Sequence, residues 1–146
     1  MGKGKPSKKA IPPQSGKTPR SAEMAFGATS DIVAWQFQAL DPHGPWGWTI
    51  DAATILELIL PRIQAFESMT WTEIEGKTGS HYIDVESIIS TAQKRLSEIG
   101  QDDVDSLFSL RLQGKPRIWG IRDRHILKVL WWDPEHAICP SEKKHT

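Results

Sequence analysis

The chain has 146 residues, 18 Lys plus Arg, 18 Asp plus Glu and a formal net charge of zero. That length is one ordinary domain. The single cysteine, Cys139, excludes a disulfide scaffold, and the longest apolar run, Ile55 to Leu60, is broken by Glu57 and too short to span a bilayer. The zero is a cancellation. Residues 1–20 carry six bases and no acid, residues 21–105 fourteen acids against four bases, and residues 106–146 eight bases against four acids. The start, Met1-Gly2-Lys3-Gly4-Lys5-Pro6-Ser7, has no apolar run behind its charges and does not read as a secretory signal. These features predict a soluble, cytoplasmic protein.

Residues 1–30 are rich in Lys, Pro, Gly and Ser and nearly empty of large apolar groups, so they are predicted to be a disordered basic tail ahead of a single domain over 31–146. Val33, Trp35, Phe37 and Ala39 then alternate with smaller or polar neighbours, the period of a half-buried strand. Asp41 to Gly47 is a loop by its Pro and Gly content. Ile55, Ile59, Ile63 and Phe66 recur at helical spacing behind a cap at Thr49 or Asp51, and Pro61 predicts a kink or a break. Thr70-Trp71-Thr72-Glu73 fits a capping box. A further helical pattern runs from about Val85 to Ile99, with Asp84 as its N-cap and Gly100 as its stop.

The last third changes period. Phe108, Leu110 and Leu112 alternate, Gln113 to Pro116 turns the chain, Arg117 to Ile121 alternates again, and Asp123-Arg124-His125 precedes a third strand-forming run from Ile126 to Trp132. The predicted fold is α+β: an N-terminal strand, two to three helices, then a three-stranded antiparallel meander, all in one sheet covered by helices on one face.

Gly-rich phosphate loops, His-Glu-x-x-His, Cys-x-x-Cys and Gly-x-Ser-x-Gly are absent, and no metal or cofactor is predicted. The candidate chemistry lies in the meander. Arg111, Lys115, Arg117, Arg122, Arg124 and Lys128 all fall on its strands or turns, where guanidinium groups beside aromatics suit phosphate clamping and base stacking. The plainer reading is the polar face of a half-buried sheet. Pro134 must end the last strand, which sets Asp133 and His136 at the rim. His136 there could move a proton in 2′-hydroxyl attack on RNA while arginine stabilises the developing charge. Alternatively Asp133 simply caps the turn. His81, ahead of the third helical pattern, is a second proton-transfer candidate.

The string Leu110-Arg111-Leu112-Gln113-Gly114-Lys115-Pro116-Arg117-Ile118-Trp119 is similar to a signature of RelE/ParE-superfamily toxins, in which an arginine-bearing strand, a Gly turn and an arginine-led strand recur and the last strand ends near a histidine. The order of elements resembles that fold over about residues 31–140. The resemblance implies a bacterial toxin module, either a ribosome-dependent mRNA endonuclease or a gyrase-directed relative, restrained by an antitoxin. Arg111, Arg117 and His136 are the matching positions. The resulting expectation is a metal-independent endoribonuclease, with or without a ribosome requirement. His136, Arg117 and His81 are its catalytic groups, and Arg111, Lys115, Arg122 and Lys128 hold phosphate. Its partners are RNA or the ribosome and a cognate antitoxin, with no membrane. The alternative is a non-catalytic interaction or regulatory module of the same fold, whose acidic helical layer docks a basic protein.

Overall fold

The computed structural model describes residues 31–140, so the basic segment 1–30 and residues 141–146 lie outside the described residues. The elements in chain order are β1 (Ala34–Gln36), α1 (Ala52–Thr54), a π-helical segment (Ile55–Ile59), α2 (Leu60–Phe66), α3 (Trp71–Lys77), β2 (His81–Asp84), a 3₁₀ turn (Val85–Ser87), α4 (Ser90–Glu98), β3 (Ser106–Arg111), β4 (Arg117–Asp123) and β5 (Ile126–Asp133). The architecture is α+β.

Local chemistry explains the helices. Asp51 accepts the Thr54 N–H at 2.6 Å and starts α1. Pro61 does not break the helix. Immediately before it the backbone widens, and the Leu60 N–H reaches the Ile55 carbonyl five residues back. That π-helical spacing relieves the clash a proline ring makes with a carbonyl one turn earlier, so α1, the π segment and α2 run on continuously. Thr70 and Glu73 form both bonds of the capping box of α3, at 3.2 and 3.0 Å. Gly100, at φ +73°, follows the end of α4, and the Gln101 N–H closes on the Leu96 carbonyl at 2.8 Å.

Three sequence expectations need correction. The sheet has five strands in the order β1-β5-β4-β3-β2, because His81–Asp84 is an edge strand paired antiparallel with β3. Asp84 therefore ends a strand and makes no cap bond through its side chain, and the helix beyond it starts five residues later than Val85. β1 joins the meander parallel to β5, with Ala34 opposite Ile126 and Gln36 opposite Lys128. Finally, the sheet is covered on both faces. Phe108, Leu110, Ile118, Leu127, Val129 and Trp132 pack on one side with Ile59, Phe66, Trp71 and Ile74 from the π segment, α2 and α3. The residues between them in the strands, Leu107, Trp119 and Trp131, pack on the other side under Ile88, Ala92 and Leu96 from α4 and its approach, and under Ile138. Two apolar faces alternate along the same strands, which is why the meander reads as strongly apolar throughout.

β5 contains a register shift. Trp119 faces Trp131 while Gly120 faces Val129, so Leu130 is an extra residue, and both it and Trp131 turn toward the α4 side. The Leu130 carbonyl accepts bonds from the Asp41 N–H and from Trp48 Nε1, each at 3.0 Å, and the Trp132 N–H donates to the Trp46 carbonyl at 2.9 Å. The Asp41–Trp48 loop thus lies along β5 where β1 has stopped. Asp41 anchors it: its buried carboxylate takes a two-pronged bond from Arg95 (2.8 and 2.7 Å) and one from Trp131 Nε1 (2.9 Å). The Arg95 bond, above all, holds that carboxyl below the usual carboxylate range.

Candidate functional site

β3 ends at Arg111, the chain turns through Leu112–Pro116, and β4 begins at Arg117. The Leu112 N–H bonds the Pro116 carbonyl at 3.1 Å, and Gly114 sits at φ +78°, a backbone that favours glycine. Arg111 and Arg117 are direct cross-strand partners, and Arg117 is in turn opposite Asp133 on β5. By strand alternation these three residues lie on the α4 face, as do His81 and Ser109, which are also partners. One end of four adjacent strands therefore carries His81, Arg111, Arg117 and Asp133 on one face.

Like charges directly opposite in a sheet destabilise it. Here neither arginine has an ion pair among the described residues. Arg117 instead folds its Nη1 onto the turn, donating to the Gly114 and Lys115 carbonyls at 2.7 Å each. Burial, and then the charge of Arg111, lower its pKa, while the Asp133 carboxylate acts in the opposite sense. The group stays cationic, because an arginine starts far above neutrality. Arg111 is exposed, and its N–H bonds the Ser80 hydroxyl at 2.9 Å. Its side chain lies over Gly79, at φ +82°, where an added Cβ would come within 3.1 Å of both its Cδ and its Nη1. His81 Nδ1 is 3.2 Å from the carbonyl of that same Gly79.

The turn after β5 completes this end. Asp133 is not a solvent-facing rim residue. It is fully buried, accepting bonds from the Ala137 N–H (2.8 Å), the Ile138 N–H (3.0 Å) and Trp119 Nε1 (3.2 Å). Capping the turn, the plainer of the two roles read for it, is the one it performs. The turn holds His136 at φ +57°, in the left-handed region. Lys115 reaches Glu135 at 3.5 Å, bringing the 133–138 turn against the 112–116 turn.

The remaining predicted site residues lie elsewhere. Arg122 points to the other face, 4.1 Å from the Trp71 ring, with Tyr82 and Phe108 beyond it. It is ion-paired to Glu75, its side chain is 5% exposed, and its Nε donates to the Arg124 carbonyl at 3.0 Å. That guanidinium ties α3 to the sheet and is not offered to a ligand. Lys128 sits at the opposite end of the strands, 3.7 Å from Asp123.

The structure thus brings together Arg111, Lys115, Arg117 and His81, with the turn that carries His136, and leaves Arg122 and Lys128 apart. Gly79 and Ser80, which place Arg111 and His81, were missed in the sequence. A Gly-Ser pair between a helix and a short Tyr-Ile strand was the available signal. The far end of β2 and β3 is acidic: Asp84, Glu86 and Asp105 line a hollow of about 400 Å³ with Val85, Val104 and Gln93. No family model, curated protein or solved structure matches this chain.

Proposed function

We propose that this domain is an RNA-targeting, toxin-like module that grips backbone phosphate between Arg111 and Arg117 and acts as a metal-independent endoribonuclease. The observation that carries it is the juxtaposition of two arginines directly across a strand pair with no carboxylate in ion-pair reach. Turn carbonyls and Asp133 offset part of the charge on Arg117, but neither guanidinium has an ion pair, and a phosphate diester supplies one with charge-assisted bonds. Lys115 adds a third cation on the turn. In this reading His81, on the same face by strand register, exchanges a proton with the 2′-hydroxyl, and His136 on the neighbouring turn is the second such group. Arg117 stabilises charge developing on phosphorus.

The test is purified protein incubated with mRNA, alone and with translating ribosomes. Cuts are expected in at least one condition, and Arg117→Ala reduces their rate by about 100-fold, the usual loss when one charge-stabilising donor is removed. His81→Ala and His136→Ala each lower the rate and change its pH profile. No cleavage in either condition sinks the enzyme reading, and RNA affinity unmoved by Arg117→Ala sinks the phosphate reading as well.

A second reading is favoured by the acidic hollow beside β2 and β3: a non-catalytic module that docks a basic protein there, an antitoxin if the toxin reading holds. It requires binding of the basic partner to survive Arg117→Ala and to fail when Asp84 and Glu86 are neutralised.

A further inference from the structure

A second hollow lies on the α4 face, at the end of the sheet away from Arg111 and Arg117. Its floor follows from register: Gln36, Lys128 and Ile121 form one row across β1, β5 and β4. Gln38 and Ala39 continue from β1, and Gln101 enters from above, just past the Gly100 stop of α4. The hollow they border is open on one side and holds about 330 Å³, at the small end of ligand pockets and enough for one small molecule.

Gln36, Gln38 and Gln101 border the hollow, the first two exposed and the third half-buried, and none of them hydrogen-bonds through its side chain to any described residue. Each offers both a donor and an acceptor. No carboxylate lines the hollow, Ile121 and Ala39 supply an apolar patch, and Lys128 supplies one ammonium, shared loosely with Asp123 at 3.7 Å. A complementary ligand has donors and acceptors along its edge, to meet the carboxamides, little apolar surface to cover beyond what Ile121 and Ala39 offer, and a single anionic group. Carboxamides are the side chains that pair with base edges through such mixed donor and acceptor sets.

We propose that this hollow is a nucleotide-binding site, taking one nucleoside monophosphate unit with its base among Gln36, Gln38 and Gln101 and its phosphate toward Lys128. The site stands apart from Arg111 and Arg117 and does not rest on the reading given to them. The unit could be a free nucleotide or one residue of a single-stranded RNA, since both present the same base and phosphate.

The experiment is titration of the full chain with AMP, GMP, CMP and UMP, followed by amide chemical shifts, with short oligoribonucleotides in a parallel arm. The expected result is saturable binding of at least one nucleotide, with the largest shifts at Gln36, Gln38, Gln101, Ile121 and Lys128. Gln101→Ala and Lys128→Ala each weaken it at least fivefold with unchanged thermal melting, while Arg117→Ala leaves it unchanged. A free nucleotide binding as well as the oligomer identifies a small-molecule site; binding of the oligomer alone, with shifts at Gln101 and Lys128 that persist in Arg117→Ala, identifies a base-reading pocket for RNA. Absence of saturable shifts at these pocket residues in both arms overturns the proposal. So does free-nucleotide binding lost in Arg117→Ala but kept in both pocket variants, or equal shifts from an N-acetyl dipeptide amide, which would make the occupant a peptide.

Discussion

The two ends of the sheet use the same basic residue types to opposite effect. At the end where β4 meets β5 through its tight turn, Arg122 pairs with Glu75, while Arg124 and Lys128 share Asp123. At the other end Arg111 and Arg117 face each other, and only Lys115 has a carboxylate in reach. Paired cations cement a fold, or at the surface contribute little. Unpaired cations held at fixed separation are a cost to the fold that an anion can repay. The contrast teaches that position in the charge pattern, more than the number of arginines, separates a structural guanidinium from one available to a ligand.

The most severe way to break that contrast is to make the unpaired end resemble the paired one. Arg111→Glu would set a carboxylate opposite Arg117, and RNA affinity is expected to fall by about 100-fold or more as attraction turns to repulsion and the phosphate loses its clamp. The same variant should melt no lower than the parent, since a like-charge cross-strand pair has become an opposite one. Filter binding at fixed salt, beside a thermal melt, checks both. The converse change at the paired end, Arg122→Ala, removes the guanidinium from the Trp71 face and orphans Glu75. A loss of about 2–3 kcal/mol in urea unfolding is expected, with RNA affinity of the folded protein unchanged. If instead affinity falls and stability holds, the assignment of the two ends is reversed.

A smaller effect should appear in acid. Asp41 has its folded pKa lowered, chiefly by Arg95, so the stability it contributes is fully present above the ordinary carboxylate value of about 4. That contribution is lost as pH falls through the depressed value. Urea midpoints measured from pH 6 downward should therefore drop more steeply for the parent than for Asp41→Asn, whose stability is lower at pH 6 and flatter below it. The smallest change is Gly79→Ala, which forces a side chain to φ +82° and crowds Arg111. About 1 kcal/mol of stability and a few-fold of RNA affinity are expected to go together, because one backbone position serves both.

Much of the fold was legible because its signals are local. Thr70 and Glu73 announce a capping box within four residues, Gly100 marks a helix end, and the alternation from Phe108 onward reveals β3, β4 and β5. The parity that puts Arg117 and Arg122 on opposite faces is also local. Non-local facts escaped. Nothing near Ala34 says that it will lie parallel to a strand more than ninety residues away, and His81–Asp84 is too short to outcompete the reading of Asp84 as a cap. Which arginine would be covered depended on where α3 and α4 pack, and that is decided by Trp71 meeting Phe108 on one face and Leu96 packing with Trp119 on the other. Asp133 misled because aspartate is seldom fully buried. Its three donors, Trp119 and two backbone N–H groups, come together only in the folded turn.

The extra residue in β5 has a consequence for how this chain can change length. Losing one residue from a strand ordinarily swaps every later side chain to the wrong face. Deleting Leu130 would not, because the bulge already sets Leu130 and Trp131 on the same side, and Trp131, Trp132 and Asp133 would keep their faces in an unbulged ladder. What such a deletion removes is the carbonyl that receives Asp41 and Trp48. The bulge thus acts as a splice point: an insertion that leaves the phase of the sheet intact while giving the Asp41–Trp48 loop its attachment, so loop and sheet can vary separately.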